Sequence, residues 1–188
     1  MEKISRKHIM NITFQPLAIS HFPLLLQWLE TPHVKAWWDQ DVNWTPKLIE
    51  QKFGSYVHQI KHSKLKNKLT EKPTYAYIIS FDEIPIGYIQ YYNKYDFSHE
   101  QEYEMIELSE NCGAIDWYIG EPNFIGKGIG SKALSMFLDN YIFPKSDHVF
   151  VDSESKNTGA IKAYEKVGFK EIKRVNNGTI ICMIKEKK

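Results

Sequence analysis

Three glycines at alternate positions punctuate the run Ile125-Gly126-Lys127-Gly128-Ile129-Gly130-Ser131. The run stands between a segment of strand character and one of helical spacing. Its backbone N–H groups can therefore point into a common concavity, which the unsatisfied donors and positive dipole end of the helix complete. That is a cradle for a pyrophosphate. Its glycine spacing is neither that of a Walker loop nor that of the GxGxxG dinucleotide fingerprint. A tight strand-to-helix turn that needs glycine only for steric reasons has the same pattern, and the residues leave the two readings open.

Asp116 stands in GAIDWYIG (113–120), where strand alternation puts it on one face with Ala114 and Tyr118, opposite Ile115, Trp117 and Ile119. A carboxylate inside an apolar strand is either half of an ion pair or a group that moves protons. Tyr164 falls on the apolar side of a helix with Ala160, Ile161 and Val167, the place of an ordinary core tyrosine. Asn157 begins that helix as a natural N-cap. Trp37 and Trp38 are core, or an aromatic wall for a ring. Cys112 and Cys182 make no disulfide framework and lack the companions a metal site needs, which points to a reducing compartment and no metal.

The elements that must position these groups follow from periodicity. Ser20 caps an amphipathic helix through Leu29 that stops near Thr31-Pro32, and His33 to Trp38 is a loop. Thr45-Pro46 opens a second helix with Ile49, Phe53, Tyr56, Val57 and Ile60 on one face. TYAYIISF (74–81) and PIGYIQYY (85–92) form a hairpin around Asp82-Glu83, and 113–120 is a further strand. The glycine turn leads into a helix carrying Leu134, Phe137, Leu138, Tyr141 and Ile142. A short strand at 148–152, the Asn157 helix ending at Gly168, and a hairpin closed by Asn177-Gly178 finish the chain. The order ααββ, β-α-β-α, ββ implies a mixed α/β sheet, parallel in its second half and antiparallel in its hairpins.

At 188 residues, 43% hydrophobic and 14% aromatic, the chain has the makings of one folded domain over 1–188. A net charge of +1 excludes a global field for duplex nucleic acid or an anionic membrane. The N-terminus has basic residues but no apolar core of a signal peptide, and no apolar run approaches a membrane span, so the expected location is cytoplasmic. Charge is nonetheless uneven. Lys61, Lys64, Lys66, Lys68 and Lys72 form a basic connector. Asp96, Glu100, Glu102, Glu104, Glu107 and Glu110 form an acidic one that, with Asp152 and Glu154, would attract a cationic small molecule or else be a solvated loop.

GKGIGSKAL after a strand, followed by NTGAIKAYEKVGF, resembles the acetyl-CoA loop and following helix of the GNAT superfamily of N-acyltransferases. The superfamily's polar lead residue is Ile125 here. Within it, WLETPHVKAWWDQ (28–40), IPIGYIQYY (84–92), AIDWYIGEPNFIGKGIGSKAL (114–134) and the Asn157 to Phe169 helix are similar to the aminoglycoside 6'-N-acetyltransferases, in the same order. Many members carry Gln where this chain has Trp117, so the floor of the acceptor site is expected to differ. The resemblance implies a mostly antiparallel central sheet with flanking helices and a parallel pair splayed at the acetyl-CoA site. It implies acetyl-CoA as co-substrate, held by Gly126, Lys127, Gly128, Ile129, Gly130, Ser131 and Asn157. Tyr118 or Ile119 would lend a backbone N–H to the oxyanion. It makes Asp116 the base that deprotonates the acceptor ammonium and Tyr164 the acid that protonates the leaving thiolate. Trp37, Trp38, Gln90, Tyr92, Asp116 and Asp152 would bind the acceptor amine. Transfer would be direct in a ternary complex, by a monomer or homodimer. A siderophore-type hydroxylysine N-acyltransferase, a protein N-acetyltransferase and a non-catalytic acyl-CoA sensor are the competing readings.

Overall fold

The computed structural model describes residues 11–65, 68–96 and 108–188, the side chains of 63–69 excepted. Among the described residues eight strands form one sheet: β1 (Ile12–Pro16), β2 (Ile60–Leu65), β3 (Lys68–Phe81), β4 (Ile84–Asn93), β5 (Cys112–Ile119), β6 (His148–Glu154), β7 (Lys170–Val175) and β8 (Ile180–Glu186). Seven run in the order β1-β3-β4-β5-β6-β8-β7, and β2 pairs with the outer half of β3. Among the described residues every pairing is antiparallel except that of β5 with β6. The parallel character expected of the whole second half is thus confined to one pair. The helix after β6 does cross over, but β7 lands beyond β8, so β6 and β7 never meet.

Three helices, α1 (Phe22–Leu29), α2 (Pro32–Lys35) and α3 (Pro46–Phe53), cover one face of the sheet, and α4 (Ile129–Phe137) and α5 (Thr158–Val167) cover the other. Leu25, Trp28, Leu29, Ile49 and Phe53 pack with Ile78, Tyr88 and Tyr118 on the first side. Ile89, Ile115, Leu134, Phe137 and Val151 do so on the second. Neighbouring strand residues thus supply opposite cores, as the alternation of β5 requires.

Several boundaries differ from the sequence reading. The strand β1 was not anticipated: five residues ending in proline carry little pattern, and β1 lies at the sheet edge, where Pro16 costs no ladder bond. The basic connector is the β2–β3 hairpin. Lysine on an outer strand blunts edge-to-edge pairing, so a lysine-rich composition suits a strand there. His21, not Ser20, caps α1, after a 3-10 turn at Ile19–His21, and the aromatic loop holds the short helix α2. Thr45 Oγ1 accepts from the Leu48 N–H at 3.3 Å as expected, but α3 ends at Phe53 and Ile60 opens β2 instead of continuing the helical face. The Asp82-Glu83 turn has φ of +48° and +69°, the primed geometry that matches strand twist.

Candidate active site

The β5–β6 pairing covers only Cys112–Ala114 against His148–Phe150. Beyond it β5 stays with β4 to Ile119 while β6 stays with β8 to Glu154, so the two strands diverge into a V. A cavity of about 770 Å³ fills the V and runs from α2 to α5. That volume suits a small-molecule ligand.

Asp116 sits two residues past the last β5–β6 pair, with Asp152 across the split on β6. Gln90 Nε2 donates to Asp116 Oδ2 at 2.7 Å, and the Tyr88 hydroxyl donates to Gln90 Oε1 at 2.6 Å. Tyr92 also hydrogen-bonds the carboxylate. Burial pushes the Asp116 carboxyl above its ordinary value; the Gln90 donor opposes that shift and Asp152 adds to it. Gln90 and Tyr92 therefore stand behind Asp116 as its hydrogen-bond partners and do not line the cavity. Lys61, from the basic hairpin, lies 5.6 Å over the Tyr92 ring and within electrostatic reach of Asp116.

On the other side of β5, the indole N–H of Trp117 donates to the Tyr164 hydroxyl at 3.2 Å. Trp117 thus faces α4 and α5, on the face of β5 opposite Asp116 as strand periodicity leads one to expect, and it lines the cavity from there. Alternation along β5 is the reason: its neighbour Asp116 points the other way. Tyr164 is 6% exposed, and burial pushes its phenol up while the Trp117 donor draws it part of the way back.

Gly126 and Gly128 have φ of +74° and +77°, and Gly128 caps α4 in the left-handed conformation. Gly130 serves packing instead, because a Cβ there would lie 3.2 Å from the Trp117 ring. Backbone conformation thus calls for glycine at 126 and 128, and packing calls for it at 130. Lys127 is exposed and Ile129 is buried in the core; of this run it is Ile125, Gly126, Gly128, Gly130 and Ser131 that line the cavity. Asn157 lines it too, with its Oδ1 accepting from the Ala160 N–H at 3.2 Å as a cap. The Gly120 N–H donates to Ile86 O across β4. Alternation then turns the Ile119 N–H and C=O toward the open side of the V, and the Tyr118 N–H toward β4. The Tyr118 ring packs with Trp38 and Tyr88, centroids 5.1 and 5.6 Å away.

The tryptophan pair splits. Trp37 is 43% exposed at the cavity mouth, whereas Trp38 is half in the core. Trp38 Nε1 and the Tyr118 hydroxyl are buried without a hydrogen-bond partner among the described residues. Of the acidic connector, Asp96 is paired with Lys72 at 2.8 Å, and Glu100, Glu102, Glu104 and Glu107 lie outside the described residues. Sequence reasoning missed His33, whose Nε2–H donates to the Ile119 carbonyl at 2.9 Å, and Gln40, whose Nε2 donates to Glu154, a residue of the cavity lining, at 2.9 Å. It also missed Lys156, Lys162 and Lys166. The i, i+4 spacing of the last two beside the glycine run was a usable signal. Lys166 Nζ would lie 3.4 Å from a Cβ on Gly128.

The chain that builds this V between two parallel strands, roofed by a glycine turn at a helix start and flanked by a half-buried aspartate and a buried tyrosine, is matched by a family model. The model describes an Acetyltransferase (GNAT) domain and covers residues 18–177. The chain belongs to the GNAT acetyltransferase family. It is an acyltransferase of that type. A relative, aminoglycoside N(6')-acetyltransferase type 1 of Klebsiella pneumoniae, is 25% identical over 161 residues, 85% of this chain and 74% of that one. Solved structures of AAC(6')-Ib with ribostamycin and coenzyme A, and with coenzyme A and kanamycin, superpose with TM-scores of 0.75 and 0.73. Each is 25% identical and covers 94% of this chain, against 94% and 95% of its own. An uncharacterized protein from Bacillus halodurans shares the fold at TM-score 0.76 and 14% identity, over 94% of this chain and 84% of that one. Among the described residues no helix is long and apolar enough to cross a membrane.

Proposed function

We propose that this GNAT enzyme, as a single domain spanning 1–188, transfers an acetyl group from acetyl-CoA to the 6'-amine of an aminoglycoside. The observation that carries the reading is the placement of Asp116 and Tyr164 on opposite sides of one strand at the mouth of the V, the first half-buried, the second buried, and each hydrogen-bonded. The thioester supplies an activated acetyl carbon. Gly126 and Gly128 turn backbone donors toward the diphosphate, the first turn of α4 adds its unpaired N–H groups, and Lys166 places a cation over the turn. Ile119, its carbonyl held by His33, turns its N–H to the open side, where it serves as the oxyanion donor; Tyr118, whose N–H faces β4, does not.

A protonated amine has no lone pair, so a base must act before attack. Asp116, raised by burial and steadied by Gln90 and Tyr92, takes that proton directly or through water. Tyr164 then protonates the departing sulfur. No acyl-enzyme is needed. Cys112 and Cys182 are fully buried, and burial pushes both thiols to about 11, away from the thiolate a nucleophile requires. Asp152 and Glu154 supply negative charge for a polyamine, and Trp37 a face for a sugar ring. A protein carrying this chemistry in the cytoplasm would confer resistance to the antibiotic.

One observation favours a second acceptor. Lys61 brings a cation toward Asp116, which suits an amine that also bears a carboxylate, as the hydroxylysine acceptors of siderophore assembly do. Thiol release from acetyl-CoA, followed against aminoglycosides, lysine analogues and peptides, separates the readings. Turnover confined to 6'-amino sugars supports the first, and turnover confined to hydroxylysine supports the second.

A further inference from the structure

We infer that Trp117 is a positioning residue for the proton transfer to sulfur: its indole N–H fixes the Tyr164 hydroxyl so that the phenol proton points into the V. The inference rests on the reading of Tyr164 as the acid. An indole N–H can only donate. At 3.2 Å from the Tyr164 oxygen it must therefore occupy one of that oxygen's lone pairs, leaving the single phenol proton for another acceptor. The rest of the geometry locks this arrangement. The Trp117 ring sits edge-to-face with Tyr164, centroids 6.3 Å apart, and its six-membered ring lies against Gly130, where any Cβ would be 3.2 Å away. Tyr164 is held in turn against Phe169, 5.5 Å between centroids. The residue that orients the acid thus also rests on the first turn of α4, joining the cradle to the proton donor.

The same bond matters as charge moves. When the carbon–sulfur bond breaks, its electron pair stays on sulfur, the Tyr164 proton passes to sulfur to give the thiol, and the phenol becomes a phenolate. Trp117 N–H donates to that developing anion, a stronger bond than the one to the neutral phenol. Two protons leave the acceptor nitrogen overall. One is released through Asp116, and the other, by way of solvent in the V, restores the phenol.

The test replaces Trp117 by β-(3-benzothienyl)alanine, which keeps the bicyclic shape and removes only the N–H, with Trp117→Phe as a second variant. In the protein without ligands, the Trp117 indole N–H resonance, one of five to assign, should move upfield in Tyr164→Phe. The acetyl-CoA-dependent rise in melting temperature should survive each replacement. Turnover should fall roughly five- to tenfold in kcat with KM for acetyl-CoA unchanged, the loss expected of one hydrogen bond. In the Tyr164→Phe background the same replacement should change kcat by less than about twofold, because the two act as one unit. An indole resonance indifferent to Tyr164→Phe, wild-type kcat without the N–H, or a loss that simply adds to that of Tyr164→Phe would overturn the inference. Full activity of Tyr164→Phe alone would instead remove the acid role on which it rests.

Discussion

Gly128→Val isolates the cradle from the fold. At φ +77° a side chain costs about 1–2 kcal/mol from the left-handed conformation, more for a β-branched one. The nearest atom to the new Cβ is the end of a flexible lysine at 3.4 Å, so no packing clash adds to that cost. For a chain of this length the melting temperature should fall by about 2–8 °C. Gly178→Val is the matched control. Its φ is +84°, it has open space around it, and it lies in the β7–β8 turn away from the V. Both variants should lose similar stability. At a hundred times its dissociation constant, acetyl-CoA should add about 2.7 kcal/mol to the wild type, or roughly 5–11 °C. By differential scanning fluorimetry Gly178→Val should keep that rise and Gly128→Val should lose it, because the valine methyls occupy the approach to the backbone donors. A full rise in Gly128→Val would refute the assignment of the turn as the diphosphate cradle.

Asp116→Asn should lower kcat on the order of 100-fold while both substrates still bind, measured by thiol release and calorimetry. Burial raises the Asp116 carboxyl, so wild-type kcat/KM should climb as pH rises through that value, and the acid limb should flatten in the variant. The raised carboxyl binds its proton more tightly in the native state, so its contribution to stability is present at low pH and lost as pH rises through the native value. Asp116→Asn should therefore melt no lower than wild type at neutral pH. Gly120→Ala places a Cβ 2.2 Å from Cγ of Trp28, a fully buried ring whose Nε1–H is tied to Glu121 at 2.8 Å; a loss of about 3 kcal/mol or more should appear in denaturant unfolding. If Asp152 and Glu154 recruit a multiply charged acceptor, its KM should rise with ionic strength, whereas that of a monoamine should barely respond.

What could be read from the sequence was what local chemistry fixes. The glycine run, the Asp116 strand, the Asn157 cap and the two hairpin turns each carry their signal within a few residues. Strand β1 carries none, since its place is decided by pairing with β3, from Ile12 with Phe81 to Pro16 with Tyr77, far along the chain. The lysines of β2 misled because charge suggests a loop, yet an outer strand tolerates it. Gln90 and Tyr92 were legible as neighbours of the acceptor side, but only the β4–β5 register shows that they sit directly behind Asp116 and Ala114. His33 and Gln40 act through contacts 86 and 114 residues distant, beyond the reach of any local pattern.

The central claim is that Asp116 deprotonates a 6'-ammonium for direct attack on the thioester. Kanamycin-type pairs that differ only at position 6' test it most directly, at saturating acetyl-CoA and followed by thiol release. The amine should be turned over and the alcohol should not, because an alcohol is a poorer nucleophile whose proton is far harder to remove. Equal rates for the pair, or no turnover of either, would contradict the account.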